Sequence, residues 1–445
     1  MTAAARDPAP AAAFRIAVVG SGPSGFYATE ALFRSGTPVA VDMFEQLPVP
    51  YGLVRFGVAP DHPKLKQVTV AFDRIATMPG FRFVGGVTVG RDVTIDELRA
   101  SYDAVILATG ADVSRALGIP GETLAGCHHA GDFVAWYNGH PDYRDCSFDL
   151  AHDAVTIVGH GNVALDVARI LARTVDELRL TDIASHALEV LAESRVREIH
   201  LVGRSGPRQA KFGAKELRDF LALAQCDAVV DPRDVAAASV GETSNDPEMS
   251  EKLELLGAVS QRPVGKQRRC VFRFGLSPVA INGRGRVEEI AFADPSRSIE
   301  AIPCGVVFSS IGRRTAPLPG VPFDAQRGVH ANVDGRVVDT HGVVPGLYVC
   351  GWSKRGPSGT IGTNRACGMA TAEAVLTDLP ARAGSRLRDP DILLAQLRGR
   401  VSRIVSFDDW SAIDAAEKSR GVAQGRPREK FVSVPEMMAV LASTP

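Results

Sequence analysis

No two cysteines in this sequence lie close enough to form a local motif. The seven stand at 127, 146, 226, 270, 304, 350 and 367, and none pairs at CxxC spacing. Zinc ribbons, cysteine-ligated iron–sulfur clusters and dithiol redox motifs need closer spacing, so no metal centre is expected and the thiols suit a reducing cytoplasm. Long apolar runs are missing too: none approaches the ~20 residues of a membrane helix, which argues against membrane insertion. Neither charge sign is in excess, with 50 basic and 51 acidic side chains. That balance gives no electrostatic footprint for nucleic acid or an anionic membrane. The opening MTAAARDPAPAAAF has no apolar core followed by a cleavage site, so residues 1–13 read as a short disordered arm.

What is present begins with length and glycine. A chain of 445 residues exceeds one comfortable core, which predicts two domains. FRIAVV is a buried-strand pattern that runs into Gly20-Ser21-Gly22-Pro23-Ser24-Gly25, and FYATEALFRSG follows with helical spacing. Gly20 permits the tight turn, Gly22 lets backbone approach a pyrophosphate, and Gly25 lets helix pack on strand. The next strand, VAVDMFE, ends in Glu45, where an acid can bond ribose hydroxyls and would repel a 2′-phosphate. This first turn therefore suits FAD or NAD.

The pattern recurs. DAVTIV leads into Gly159-His160-Gly161-Asn162-Val163-Ala164 and the amphipathic LDVARILART. The strand that follows, REIHLVG, ends at Arg204 instead of an acid. An arginine there is the usual partner of the extra phosphate of NADP. Acid after one turn and base after the other imply two nucleotides, FAD first and NADP(H) second, between which a hydride can pass. Downstream, GLYVCGW reads as a strand and Thr363 to Leu379 as a helix, with a glycine-punctuated loop between them that returns to close the flavin site. Trp352 in that loop could stack near the flavin ring or simply pack in the core. The stretch 51–63, YGLVRFGVAPDHP, is too long for a hairpin and reads as a ligand-wrapping loop.

With VVGSGPSGFYA, YGLVRFGVAPDHPKLK, GHGNVALDVARILA, LVGRSGP, KEL and GWSKRGPSGTIGTN in hand, the chain resembles the adrenodoxin-reductase type of ferredoxin–NADP⁺ reductase from Phe14 onwards. The resemblance implies an α/β fold of two Rossmann-like domains, the NADP domain (114–334) inserted into a discontinuous FAD domain (14–113 and 335–445). It implies that Ser24, Glu45, Leu53, Val87, Trp352 and Gly359-Thr360-Ile361 contact FAD. His160, Gly161, Asn162, Val163, Arg204 and Glu216 would contact NADP. The family usually carries a second arginine where Ser205 stands, and Ser205, Arg208 or Lys211 could serve the phosphate instead, so selectivity over NADH is left open.

The expected activity is hydride transfer from NADPH to FAD, then single electrons to a separate ferredoxin-type iron–sulfur protein, by a monomer in the cytoplasm. Asp61-His62 is the only histidine–carboxylate pair in a family motif near the flavin, so it is the candidate proton relay; the alternative is a loop-stabilising hydrogen bond. The docking face is open: basic residues gather at Lys266, Arg268, Arg269 and Arg273 and at Arg313 and Arg314, but such clusters are commonly just solvated. A flavin monooxygenase or another FAD/NADPH oxidoreductase with an organic acceptor shares the two turns. A disulfide reductase would need a cysteine pair that the spacing does not show. No function is assigned to the tail after residue 380.

Overall fold

The computed structural model describes residues 14–239, 246–382 and 388–442; the expected arm over 1–13 lies outside them. Two parallel sheets organise the chain. The first is ordered Asn332–Val333, Arg336–Asp339, Gly342–Val349, Ala104–Leu107, Phe14–Val19, Val39–Glu45, Phe81–Gly85. Its last five strands are parallel, and the first two join as an antiparallel edge. The second sheet is ordered Cys127–His129, Val306–Ser309, Ala154–Val158, Glu198–Val202, Arg268–Arg273, Cys226–Val230, all parallel. A three-stranded antiparallel meander, Ser277–Asn282, Glu289–Ala293 and Ile299–Pro303, flanks it.

Both sheets are fed by near-continuous apolar strands, FRIAVV and AVTIV, as expected for strands covered on both faces. Helix Pro23–Arg34 packs on one face of the first sheet against the long helix Ile361–Asp378, with Phe26, Phe72 and Phe81 in the core beneath. In the second sheet Leu165, Ala168 and Leu171 of helix Asn162–Ala172 are buried, while Asp166 of the same helix turns away from the sheet.

The chain crosses between the sheets twice, and the crossings are zipped together as a short antiparallel pair, Arg313 with Ser114 and Arg314 with Val113. The outward crossing runs through Val113 and Ser114. On the return, the chain rejoins the first body earlier than the expected residue 335. Val321 already packs in that body's core, and Asn332–Val333 forms the edge of its sheet. Composition carries no mark of this point, because 315–334 is a run of short bridges and turns without a long strand.

Candidate functional site

The two glycine turns are built alike to the level of single atoms. Gly20 and Gly159 sit at φ +105° and +133°, and a side chain on either would strike a carbonyl at the end of the neighbouring strand, Ala108 O or Ser310 O. Each amide donates to a carbonyl at the end of the next strand, Gly20 to Phe44 O at 2.8 Å and Gly159 to Val202 O at 2.7 Å. The second glycines differ in kind: a methyl group on Gly22 or Gly161 would point into open space. Helices Pro23–Arg34 and Asn162–Ala172 start at these glycines with no side-chain cap. Among the described residues no side chain claims the free N–H groups of their first turns, and the positive helix end makes that space favourable for an anion. Gly25 and Ala164 complete the correspondence, both buried where helix meets strand.

The acid and the base that follow lie where the sequence predicts. Glu45 is half-buried and accepts from the Ser21 hydroxyl at 2.6 Å, the Ser21 amide at 3.2 Å and the Leu47 amide at 3.2 Å. Burial raises its carboxyl despite these donors. Arg204 is exposed at the end of Glu198–Val202, and among the described residues no hydrogen bond or ion pair holds its guanidinium. Ser205 lies beside it, half-buried. Arg208 donates its Nε to Ala238 O at 2.5 Å, and Lys211 is exposed.

His160 turns inward. Its ring meets Leu201 O at 3.0 Å and packs on Phe274, and burial lowers its pKa to about 4, which keeps it neutral. Only its backbone faces the turn, where its carbonyl accepts from the Lys211 and Phe212 amides. Asn162 is likewise committed, accepting from the Gly213 amide at 3.0 Å, while Val163 is exposed. Glu216 lies in the first turn of Ala214–Leu221, next to that same glycine.

Around the first turn, Val87 is buried with its amide on Glu45 O at 3.0 Å, and Leu53 opens a one-turn helix, Leu53–Phe56, within the 51–63 stretch. Trp352 opens another, and its indole N–H donates to Ser358 O at 3.1 Å, which folds the loop back on itself. Gly359, at φ +81°, precedes Thr360, the N-cap of Ile361–Asp378. Ser24 is buried against Gly351. The loop thus delivers Gly359, Thr360 and Ile361 to a helix N-terminus beside the Gly22 turn's own body.

Asp61 and His62 do not form a pair. Asp61 is turned to the second body, accepting from Arg169 at 2.6 and 2.9 Å and from Arg173 at 2.9 Å. Burial alone would raise its pKa, but the two guanidinium groups hold it down at about 2. A carboxylate held this way is locked as a charge and cannot relay a proton. The His62 ring turns elsewhere, its Nε2 lying 3.6 Å from Asp166 without a hydrogen-bond partner among the described residues. Neighbours in a loop point in different directions, and here one helix supplies both partners: Asp166, Arg169 and Arg173 stand at three- and four-residue steps along LDVARILAR. That charged stripe was the available signal.

The tail, to which the sequence assigns no function, reaches the 51–63 loop. Helix Phe407–Val422 brings Trp410 to the Tyr51 hydroxyl at 3.1 Å and Glu417 to Arg55 at 2.5 and 3.0 Å, both partners lying in the 51–63 loop. Farther along, Lys430 and Lys66 share Asp182 of the second body at 3.0 and 2.7 Å. The basic residues weighed for docking are largely spent internally. Arg269 pairs with Glu198, Arg273 with Glu300, and Arg268 donates to the Ala172, Arg173 and Val196 carbonyls.

The pyridine nucleotide-disulphide oxidoreductase family model matches residues 14–201. The chain is 41% identical to the NADPH-ferredoxin reductase FprA of Mycobacterium tuberculosis, over 96% of this chain and 99% of that protein. It is 42% identical to the human mitochondrial NADPH:adrenodoxin oxidoreductase, over 96% and 92%. This chain belongs to the NADPH-ferredoxin and adrenodoxin reductase family. A solved structure of the mycobacterial FprA in complex with NADPH superimposes with a TM-score of 0.90 at 40% identity, covering 96% of this chain and 99% of that one. As a family member the chain has the expected α/β fold with two Rossmann-like sheets. Among the described residues no helix is long and apolar enough to cross a membrane.

Proposed function

We infer that the protein is an NADPH-dependent flavoprotein that reduces ferredoxin-type iron–sulfur proteins. The observation that carries this reading is the pair of matching turns with unlike partners, a half-buried Glu45 behind the first and an exposed Arg204 behind the second that has no partner among the described residues. The residues present fit both groups. Gly22 and Gly161 leave a cradle for a pyrophosphate, and an uncapped helix start faces each cradle. Bound FAD would supply the conversion of one hydride into two single-electron transfers.

The rest is the work of the chain. Ser24, Glu45, Leu53, Val87, Trp352 and Gly359 to Ile361 hold FAD; Gly161, Val163, Arg204, Ser205 and Glu216, with the backbone of His160 and Asn162, hold NADP(H). The division runs at 113/114 and near 314, with the NADP-binding body inserted. Asp61 keeps the 51–63 loop registered on helix Asn162–Ala172, which would position the two nucleotide-binding bodies against each other. His62 is left as the titratable side chain at this junction whose ring nitrogen is unclaimed, and it orients the nicotinamide or carries a proton. One chain supplies every element of both turns, which supports a functional monomer. Seven free cysteines support a reducing cytoplasm.

The test is NADPH-driven reduction of a purified iron–sulfur protein, followed by the loss of its cluster absorbance. The expected result is one NADPH consumed for every two one-electron clusters reduced. NADPH oxidation that depends on an organic substrate and leaves clusters untouched would favour the monooxygenase reading.

A further inference from the structure

Cys350 and Cys367 are seventeen residues apart in the sequence, and the fold brings the Cys367 sulfur against the backbone one residue on from Cys350. Cys350 ends the Gly342–Val349 strand and is wholly buried; Cys367 lies on the helix Ile361–Asp378 and is half-exposed. The Gly351 amide donates to the Cys367 sulfur at 3.2 Å, and Lys354 and Arg355 stand close by. The Cys350 sulfur lies 3.7 Å from Ser24 O on its other side. A half-exposed sulfur with an N–H donor, two cations and a second thiol behind it has the surroundings of a reactive cysteine.

We propose that this pair is a hydroperoxide-sensitive dithiol, with Cys367 as the attacking thiol and Cys350 as the resolving one. The Cys367 thiolate attacks one peroxide oxygen, the O–O bond breaks, and the departing alkoxide or hydroxide takes a proton to leave as alcohol or water. Cys367 becomes a sulfenic acid. The Cys350 sulfur then attacks the Cys367 sulfur, the S–O bond breaks, and the Cys350 proton leaves with the hydroxide as water. Two thiols are oxidised to one disulfide, and the peroxide is reduced by two electrons. The electrostatics agree in direction: the neighbouring Cys350 thiol, then the Gly351 amide and the nearby cations, lower the Cys367 thiol, while the Cys367 sulfur and burial hold the Cys350 thiol well above the usual range. The bond would staple the strand end that leads into Trp352 to the helix that begins at Gly359-Thr360-Ile361.

The experiment uses the full-length, FAD-loaded protein, exposed to a few equivalents of hydrogen peroxide, quenched with N-ethylmaleimide and digested without reductant. The thiol titre should fall from seven to five, with a Cys350–Cys367 linked peptide that dithiothreitol releases. In Cys350→Ser, dimedone should label Cys367 and the linked peptide should vanish. In Cys367→Ser, the titre should stay at six, with Cys350 unmodified. A wild-type titre that stays at seven, first oxidation at another cysteine, or over-oxidation of Cys367 with Cys350 still free would overturn the proposal. If Cys350→Ser fails to fold, the wild-type peptide map and Cys367→Ser decide it.

Discussion

Gly20 and Gly22 stand two residues apart and make different demands on a side chain. Gly20 is left-handed with a carbonyl where a Cβ would go, so Gly20→Ala should damage the fold itself, by at least the roughly 1–3 kcal/mol of an overpacked site. Gly22 faces open space, so Gly22→Ala should fold normally and purify without FAD. Thermal melts and the flavin absorbance of the two purified variants distinguish these outcomes; equal melting with equal flavin loss would contradict the assignment. On the NADP side, Arg204→Gln should lower kcat/KM for NADPH while leaving that for NADH nearly unchanged. A charge-assisted contact is worth roughly 1.5–3 kcal/mol, or about one to two decades. Parallel loss with both coenzymes would place Arg204 outside the phosphate site. Glycines and terminal charges of this kind are legible in sequence because local backbone geometry fixes them. The directions of Asp61, His62 and the His160 ring were not legible, since each is set by a partner on a distant segment.

The 51–63 loop shows what an element owes to the rest of the chain. Arg55 is held by Glu417, 362 residues away, and Asp61 by Arg169 and Arg173, more than 100 away. No local pattern encodes such a pairing, whereas strand, turn and helix at 14–34 and 154–172 follow from apolar periodicity alone. Removing one partner of a buried pair leaves the other uncompensated, at roughly 3–5 kcal/mol; Asp61→Asn should cost somewhat less, because Asp166 still faces Arg169. The pH dependence follows from a depressed folded pKa of about 2 against an ordinary value of 3.8. The contribution of Asp61 is complete above the ordinary value and lost as the pH falls from about 4 to about 2. Urea unfolding should therefore show a constant gap between wild type and Asp61→Asn above pH 5 and a narrowing gap below pH 4. A gap that widens in acid would contradict the pairing. Glu417→Gln leaves Arg55 and Arg428 short of charge and should weaken FAD retention, measured as flavin released on dilution, although residue 417 is remote in sequence from both turns.

At the scale of the molecule, one chain builds the same strand–turn–helix device twice and sets the copies on two sheets joined by a zipped crossing at 113–114 and 313–314. The two Rossmann-like sheets and their order along the chain could be foreseen, because two fingerprints separated by about one domain's length leave few arrangements. The return crossing could not, since it is made by short bridges. Ion pairs between the bodies, Asp61 with Arg169 and Asp182 with Lys66 and Lys430, hold the copies in register. The central claim is that the first copy holds FAD and the second delivers NADPH to it. Its most direct test is anaerobic mixing of the yellow protein with NADPH or NADH while the flavin absorbance is followed. The account predicts rapid bleaching by NADPH and slower bleaching by NADH; a flavin that stays oxidised with both would contradict it.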